Sequence, residues 1–219
     1  AEVAAGSCSE DLVSEAFKEV PFGLPSEPTP AGGGTGAGRA FSVNGYGVRS
    51  WADLFTKRQL LAHAAFMKAS RRMLSAAHQS GLSGDLAAAI RLYLALAQGR
   101  MLDYGSSLTH YQPGGGFIVN SFQRFALPCN WDFSEVNPLS GLTGSADSAF
   151  EWVSLAVRHL TGATERSLQP LVLRRSAIQL EEGGCDLIIT DPPYYDSIPY
   201  SDLMDFFYVW LRRSIGDLP

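Results

Sequence analysis

Apolar residues recur at helical spacing over residues 11–20, where Leu12, Val13, Ala16, Phe17 and Val20 share one side and Ser9 stands ahead of them as a cap. The pattern predicts a short helix ended by Pro21. Residues 21–40 then hold four prolines and six glycines, too many for a regular element, and read as a linker or exposed loop. Loose alternation from Phe41 to Val48 predicts a strand that closes in a Gly45-Tyr46-Gly47 turn. A long amphipathic helix follows, capped by Ser50 or Asp53 and carrying Leu54, Phe55, Leu60, Leu61, Ala64, Met67 and Met73 towards Ser80. A second helix after Ser83-Gly84-Asp85 sets Leu86, Ile90, Tyr93, Leu94, Ala97 and Met101 on one side, so the pair forms a helical hairpin.

Between Asp103 and Gly144 the pattern is lost: Tyr104, Tyr111, Phe117, Phe122, Phe125, Trp131 and Phe133 sit among Gly, Ser, Asn and Pro. Such a segment is either a packed irregular loop or an aromatic groove for bases. A further amphipathic helix spans residues 147–160. The last segment has the clearest grammar: Leu171-Val172-Leu173 and residues 185–190 are predicted strands, and residues 201–214 a helix with Tyr200, Leu203, Phe207, Trp210 and Leu211 on one face. Asp202 and Asp205 early and Arg212 and Arg213 late suit its dipole. Strand, connection, strand, turn and helix is the order of an open parallel α/β sheet, in which ligands bind beyond the carboxyl ends of the strands.

Composition narrows the class. With 219 residues, 46% hydrophobic and 18% charged, the chain can bury a good-sized core. No apolar run approaches the roughly 18 residues of a membrane span. The start, Ala1-Glu2-Val3, has neither an initiator Met nor a signal-peptide pattern, so the sequence reads as part of a longer chain. Cys8, Cys129 and Cys185 are scattered, without a Cys-x-x-Cys pair, and the reading is a reducing, cytoplasmic setting. His63, His78, His110 and His159 lack metal-ligand spacing, and no metal site is expected. A formal charge of −5 argues against a domain whose whole surface grips nucleic acid. It leaves local patches, such as Lys57, Arg58, Lys68, Arg71 and Arg72 on the long helix, read either as a solvated face or as a phosphate-contacting one. Gly32, Gly34 and Ala37 fit G-x-G-x-x-A, but no strand precedes them and no Gly-Lys-Ser/Thr follows; the segment reads as a flexible loop.

The chemistry concentrates at Asp191-Pro192-Pro193-Tyr194, directly after the apolar run Leu187-Ile188-Ile189-Thr190. Two prolines fix φ and remove two backbone donors, which leaves the carbonyls of Asp191 and Pro192 free to face a ligand. The Asp191 carboxylate can accept a hydrogen bond from an amine, and Tyr194 and Tyr195 can lie against a planar substrate.

At these four residues the sequence resembles motif IV of the S-adenosylmethionine (AdoMet)-dependent amino-methyltransferases, in the Asp-Pro-Pro-Tyr form typical of adenine N6 enzymes. The likeness extends to residues 46–61, to residues 126–138 around Trp131-Asp132-Phe133-Ser134-Glu135-Val136-Asn137-Pro138, and to residues 191–213. It is most similar to the large prokaryotic adenine-specific DNA methylases, some of which carry a zinc ribbon that has no counterpart here. The resemblance implies an α/β fold, a partial Rossmann-like methyltransferase sheet with a largely helical insertion. Residues 1–40 would be an N-terminal helix and loop, 41–165 the insertion contacting DNA, and 166–219 part of the catalytic core. It implies transfer of a methyl group from AdoMet to the N6 amine of adenine in DNA. Asp191, Pro192, Pro193 and Tyr194 would be catalytic, and Tyr195 and Tyr200 would bind substrate.

The departures bear on the cofactor. The family's Gly-containing AdoMet loop after a first strand is not found in this chain, and Arg174-Arg175-Ser176-Ala177 stands where relatives place an acid for the cofactor's adenine. The later strands of a seven-stranded sheet have no counterpart either. The expectation is therefore a partial catalytic domain that binds AdoMet weakly when isolated, with DNA and the remaining parts of a longer parent chain as partners and no membrane. Two other readings stay open: methylation of cytosine N4, an RNA base or a glutamine, and a non-catalytic methylase-derived module that binds nucleic acid or a partner chain.

Overall fold

The computed structural model describes residues 8–33, 36–168, 170–179 and 186–216. Helix predominates: α1 (Glu10–Phe17), α2 (Lys57–Gln79), α3 (Gly84–Tyr104), α4 (Ala146–Thr164) and α5 (Tyr200–Ile215), with a hairpin of β1 (His110–Gln112) and β2 (Phe117–Val119). Helix α3 is central and packs against α2, α4 and α5, while α1 lies on α2.

Local chemistry explains most helix ends. Ser9 caps α1 by accepting from Leu12 N at 3.2 Å, and Ser83 and Ser145 do the same for α3 and α4. The start of α2 differs from the sequence reading. Residues Trp51–Leu54 form a separate 3₁₀ turn, Phe55 is extended, and the helix begins after Thr56, which exchanges hydrogen bonds with Gln59 in a capping box. Asp53 instead accepts from the backbone of Arg49 and Ser50, so neither Ser50 nor Asp53 caps the long helix.

The expected strands do not form. Residues 43–46 make a 3₁₀ turn ended by Gly47 at φ 92°, and Phe41 contributes one isolated bridge to Leu127. Glycines at 45 and 47 favour the turn over an extended ladder. Residues 171–173 and 186–190 are exposed coil, and Cys185 lies outside the described residues. A Rossmann-like sheet is thus not built among the described residues. An apolar run becomes a strand only when neighbours complete its ladder and layers cover its faces, and nothing described here does either. The β-structure that does form was not foreseen. The hairpin pairs His110 with Val119, Tyr111 with Ile118 and Gln112 with Phe117, turned by Gly114-Gly115-Gly116 with Gly116 at φ 68°.

One cluster of buried side chains joins the first and last helices. Val13 and Phe17 of α1, Trp51, Leu54 and Phe55, Leu60, Ala64 and Met67 of α2, Leu102 of α3, and Leu127 meet Leu203, Phe206, Val209 and Trp210 of α5. Phe206 and Trp210 sit at its centre. Ring centroids lie 5.0 Å apart for Phe55 and Trp210, and 4.9 Å for Phe122 and Phe206, with the rings steeply inclined to one another, an arrangement that adds to area burial. Among the described residues no helix is long and apolar enough to cross a membrane.

Candidate functional site

Helix α5 holds the segment that carries Asp191, Pro192, Pro193 and Tyr194. Its apolar face is sunk in the core, Pro199 just before it is buried, and Ile198 packs against the cluster. The far end is fastened by Arg213, whose side chain is only 1% exposed. Its guanidinium donates to the carbonyls of Gly23 at 2.7 Å, Leu24 at 3.0 Å and Phe22 at 3.2 Å, and to Glu27 Oε2 at 3.0 Å. Arg212 also pairs with Glu27 and lies over the Phe22 ring. Burial by itself would raise the Glu27 carboxyl; the Arg213 hydrogen bond and the two nearby guanidiniums more than offset this and hold it below the usual carboxylate value. The sequence placed Arg212 and Arg213 only as charges suited to a helix C-terminus. Nothing in a linear pattern shows that one of them is buried.

Ahead of α5, residues 191–197 are exposed. Tyr194 is 71% and Tyr195 98% exposed, and Asp191 shares this surface. Asp196 adopts a left-handed conformation at φ 49° and accepts from Ala37 N at 3.3 Å. This contact joins the Asp191 segment to the glycine-rich segment, which the sequence gave no reason to bring together. Gly36, at φ 65°, lies so close that a Cβ there would stand 2.0 Å from Asp196 Oδ2. Rather than remaining a loose loop, residues Gly36–Ala40 form a 3₁₀ turn, and Gly33 N donates to Gly38 O at 3.0 Å. Tyr200 is half-exposed at the start of α5, and with Met204 and Tyr208 it recurs every four residues on the helix's outer face. The sequence reading sets Tyr200 on the face of Leu203 and Trp210, whereas the structure turns it outward with Met204 and Tyr208.

The other aromatic and basic features resolve individually. Phe122 enters the core, whereas Trp131 and Phe125 are exposed, Trp131 edge-on to Tyr46 with centroids 5.5 Å apart. On α2, Lys57 pairs with Glu10, Arg58 with Glu135, and Lys68 and Arg72 with Glu19. These pairings take up much of the basic charge of that helix.

Asp191 to Tyr195 lie open on the surface rather than walling a cradle, and the closest approach to the Gly36 backbone is made by the chain's own Asp196 carboxylate. Among the described residues no three His, Cys, Asp or Glu gather as a metal site. Compared with family models, curated proteins and solved structures, the chain matches none.

Proposed function

We propose that this chain carries the amine-holding part of an AdoMet-dependent methyltransferase acting on the N6 amine of adenine in DNA. The observation that carries the reading is the run Asp191-Pro192-Pro193-Tyr194-Tyr195 itself, set directly ahead of a firmly anchored helix. An exocyclic amine conjugated to a purine is a poor nucleophile. Asp191 and the Pro192 carbonyl would accept its two hydrogens and draw the nitrogen lone pair out of conjugation, while Pro193 keeps the backbone rigid. Tyr194 would stack on a base turned out of the duplex, an extrusion that costs a few kcal/mol. Stacking returns about 1–3 kcal/mol per base, and Tyr195 and Tyr200 would add contacts beside it. Orientation matters more than basicity here, because the amine becomes acidic only as it gains a methyl group. On this reading the methyl donor's site would be completed by further parts of a longer parent chain.

Nucleoside mass analysis of DNA treated with the parent protein tests this: N6-methyladenine should form, and Asp191→Ala should abolish it while leaving DNA binding within about threefold. Methylation that survives Asp191→Ala refutes the assignment. Methylated cytosine, RNA or glutamine as the product would redirect it to another amine. A second reading, a non-catalytic nucleic-acid module, is favoured by the openness of residues 191–195 and the closure of Gly36 on Asp196. It predicts DNA binding with no methylated product.

A further inference from the structure

Helix α1 runs beside α2 and then stops. Lys57, at the start of α2, pairs with Glu10 at 3.4 Å, and Lys68, about three turns on, lies 3.9 Å from Glu19, just past the end of α1. Where that cover ends, a cleft of about 360 Å³ opens along α2, lined by Lys68, Arg71, Arg72, Ser75 and Gln79 together with Glu19. Lys68, Arg72, Ser75 and Gln79 follow one another at intervals of four, three and four residues, so they form a single row on the helix.

The charges in this cleft do not balance. Glu19 is the one carboxylate among the lining residues, and two cations share it. Lys68 stands 3.9 Å and Arg72 3.6 Å from its Oε2, both well beyond the roughly 2.7–2.9 Å of a charge-assisted hydrogen bond. Arg58, on the same helix, shows the contrast, with its fork onto Glu135 closed at 3.0 and 2.9 Å. Arg71 makes no ion pair among the described residues, and its Nη1 lies beside Gly216 at the end of α5. Three cations therefore crowd one loosely held carboxylate, and their mutual repulsion would be relieved by an anion with several acceptor oxygens.

The shape of the row selects among phosphate-bearing ligands. From Lys68 to Gln79 it runs about 16 Å along the helix. A lone phosphate would occupy one end of it, whereas the repeating phosphates of a nucleic-acid strand can follow its length, with the Gln79 amide as a neutral donor. Ala76 is the sole apolar side chain in the lining, which leaves nothing to enter the acyl layer of a membrane. Because the whole chain carries a formal charge of −5, attraction for a polyanion has to come from such a local excess.

We propose that this cleft contacts the phosphate backbone of nucleic acid, with Lys68, Arg71 and Arg72 supplying the charge and Glu19 competing with the phosphates for it. The cleft is separate from the Asp191 segment and does not rest on the methyltransferase reading. Fluorescence anisotropy of a labelled duplex of mixed sequence, titrated with the folded chain at stepped salt, tests it. Log affinity should fall against log salt with a slope of about −3, since each neutralised phosphate contributes about −0.9. Lys68→Gln and Arg72→Gln should each flatten that slope by about 1. Glu19→Gln should tighten binding about threefold, because it frees two cations from weak exposed pairings; a misfolded variant could not produce this gain. Arg58→Gln, which opens a separate fork, should stay within about twofold.

The proposal is overturned by no binding at about 0.5 mM chain in low salt, by a slope unchanged in both the Lys68 and Arg72 variants, or by Glu19→Gln leaving affinity unchanged or weaker. Saturable binding of inorganic phosphate without duplex binding would reassign the cleft to a small phosphate and also overturn it, as would binding to phosphatidylserine vesicles alone. Methylation by the parent protein alongside any of these failures would leave the methyltransferase reading standing and refute this one.

Discussion

Replacing Arg213 with Met should cost about 3–5 kcal/mol of stability, the range for removing one partner of a buried ion pair. Met keeps the length and apolar stem of the side chain but not the donors. The carbonyls of Phe22, Gly23 and Leu24 then lose the guanidinium, and Glu27 retains only Arg212. Each carbonyl left dry would cost about 1–3 kcal/mol, so a full sum overshoots, and partial hydration of the 22–27 turn brings the total back to the ion-pair range. For a chain of this size, 1 kcal/mol moves Tm by about 2–4 °C, which places the Met variant roughly 6–20 °C below the parent protein. Arg213→Lys should fall between, because one ammonium cannot span three carbonyls and a carboxylate as a planar fork does. Thermal and urea melts followed by circular dichroism measure both. A Met variant melting within 2 °C of the parent, or a Lys variant indistinguishable from it, would show that the turn and α5 hold together without the guanidinium. The pair also predicts a pH effect. Glu27 is held below its ordinary value, so its contribution is present above the unfolded-state value of about 4.3. It fades as pH falls through the lowered one. That acid-side loss should shrink in the Met variant.

Two further outcomes follow from other contacts. His63 is held near 4 in the fold against about 6.5 unfolded, so stability should be intact above pH 6.5 and fall by roughly 3 kcal/mol as pH drops towards 4. Urea midpoints at stepped pH should show this slope, and His63→Phe should remove it. Gly36→Ala should destabilise by about 1–3 kcal/mol, since its left-handed φ is strained for Ala and the new Cβ meets Asp196. In an Asp196→Gly background, which keeps the left-handed freedom at 196, the penalty should drop by about half in a double-mutant cycle. Additive penalties would show that the two loops do not touch.

All five helices were legible from sequence, apart from the start of α2, because the information is local. Ser9 and Ser83 cap where capping chemistry predicts, and the apolar spacing of α1, α3, α4 and α5 is set by side chains within a few turns. On α5, Leu203 and Trp210 were read correctly as an inward face, although Phe206 is buried more deeply than Phe207. The strands that were predicted but do not form share one cause. The 171–173 and 186–190 runs have strand-like composition, but strand formation depends on partners that are distant or absent, and among the described residues none pairs with them. The hairpin at residues 110–119 was missed because its strands are only three residues long and its aromatics hid the Gly114-Gly115-Gly116 turn.

For the proposed site, the sequence supplied the candidate groups. An acid, two prolines and two tyrosines in succession specify acceptors on a rigid backbone with planar contacts, wherever the fold places them. The tertiary structure decided what these residues meet. It set Asp196 on the Gly36 turn and buried Arg213 among the carbonyls of the 22–27 turn. Such pairings join residues far apart in the chain or depend on burial, and burial is settled only when the whole core has closed. That is why His63, unremarkable as a letter in the sequence, is held by burial well below its ordinary value in the fold.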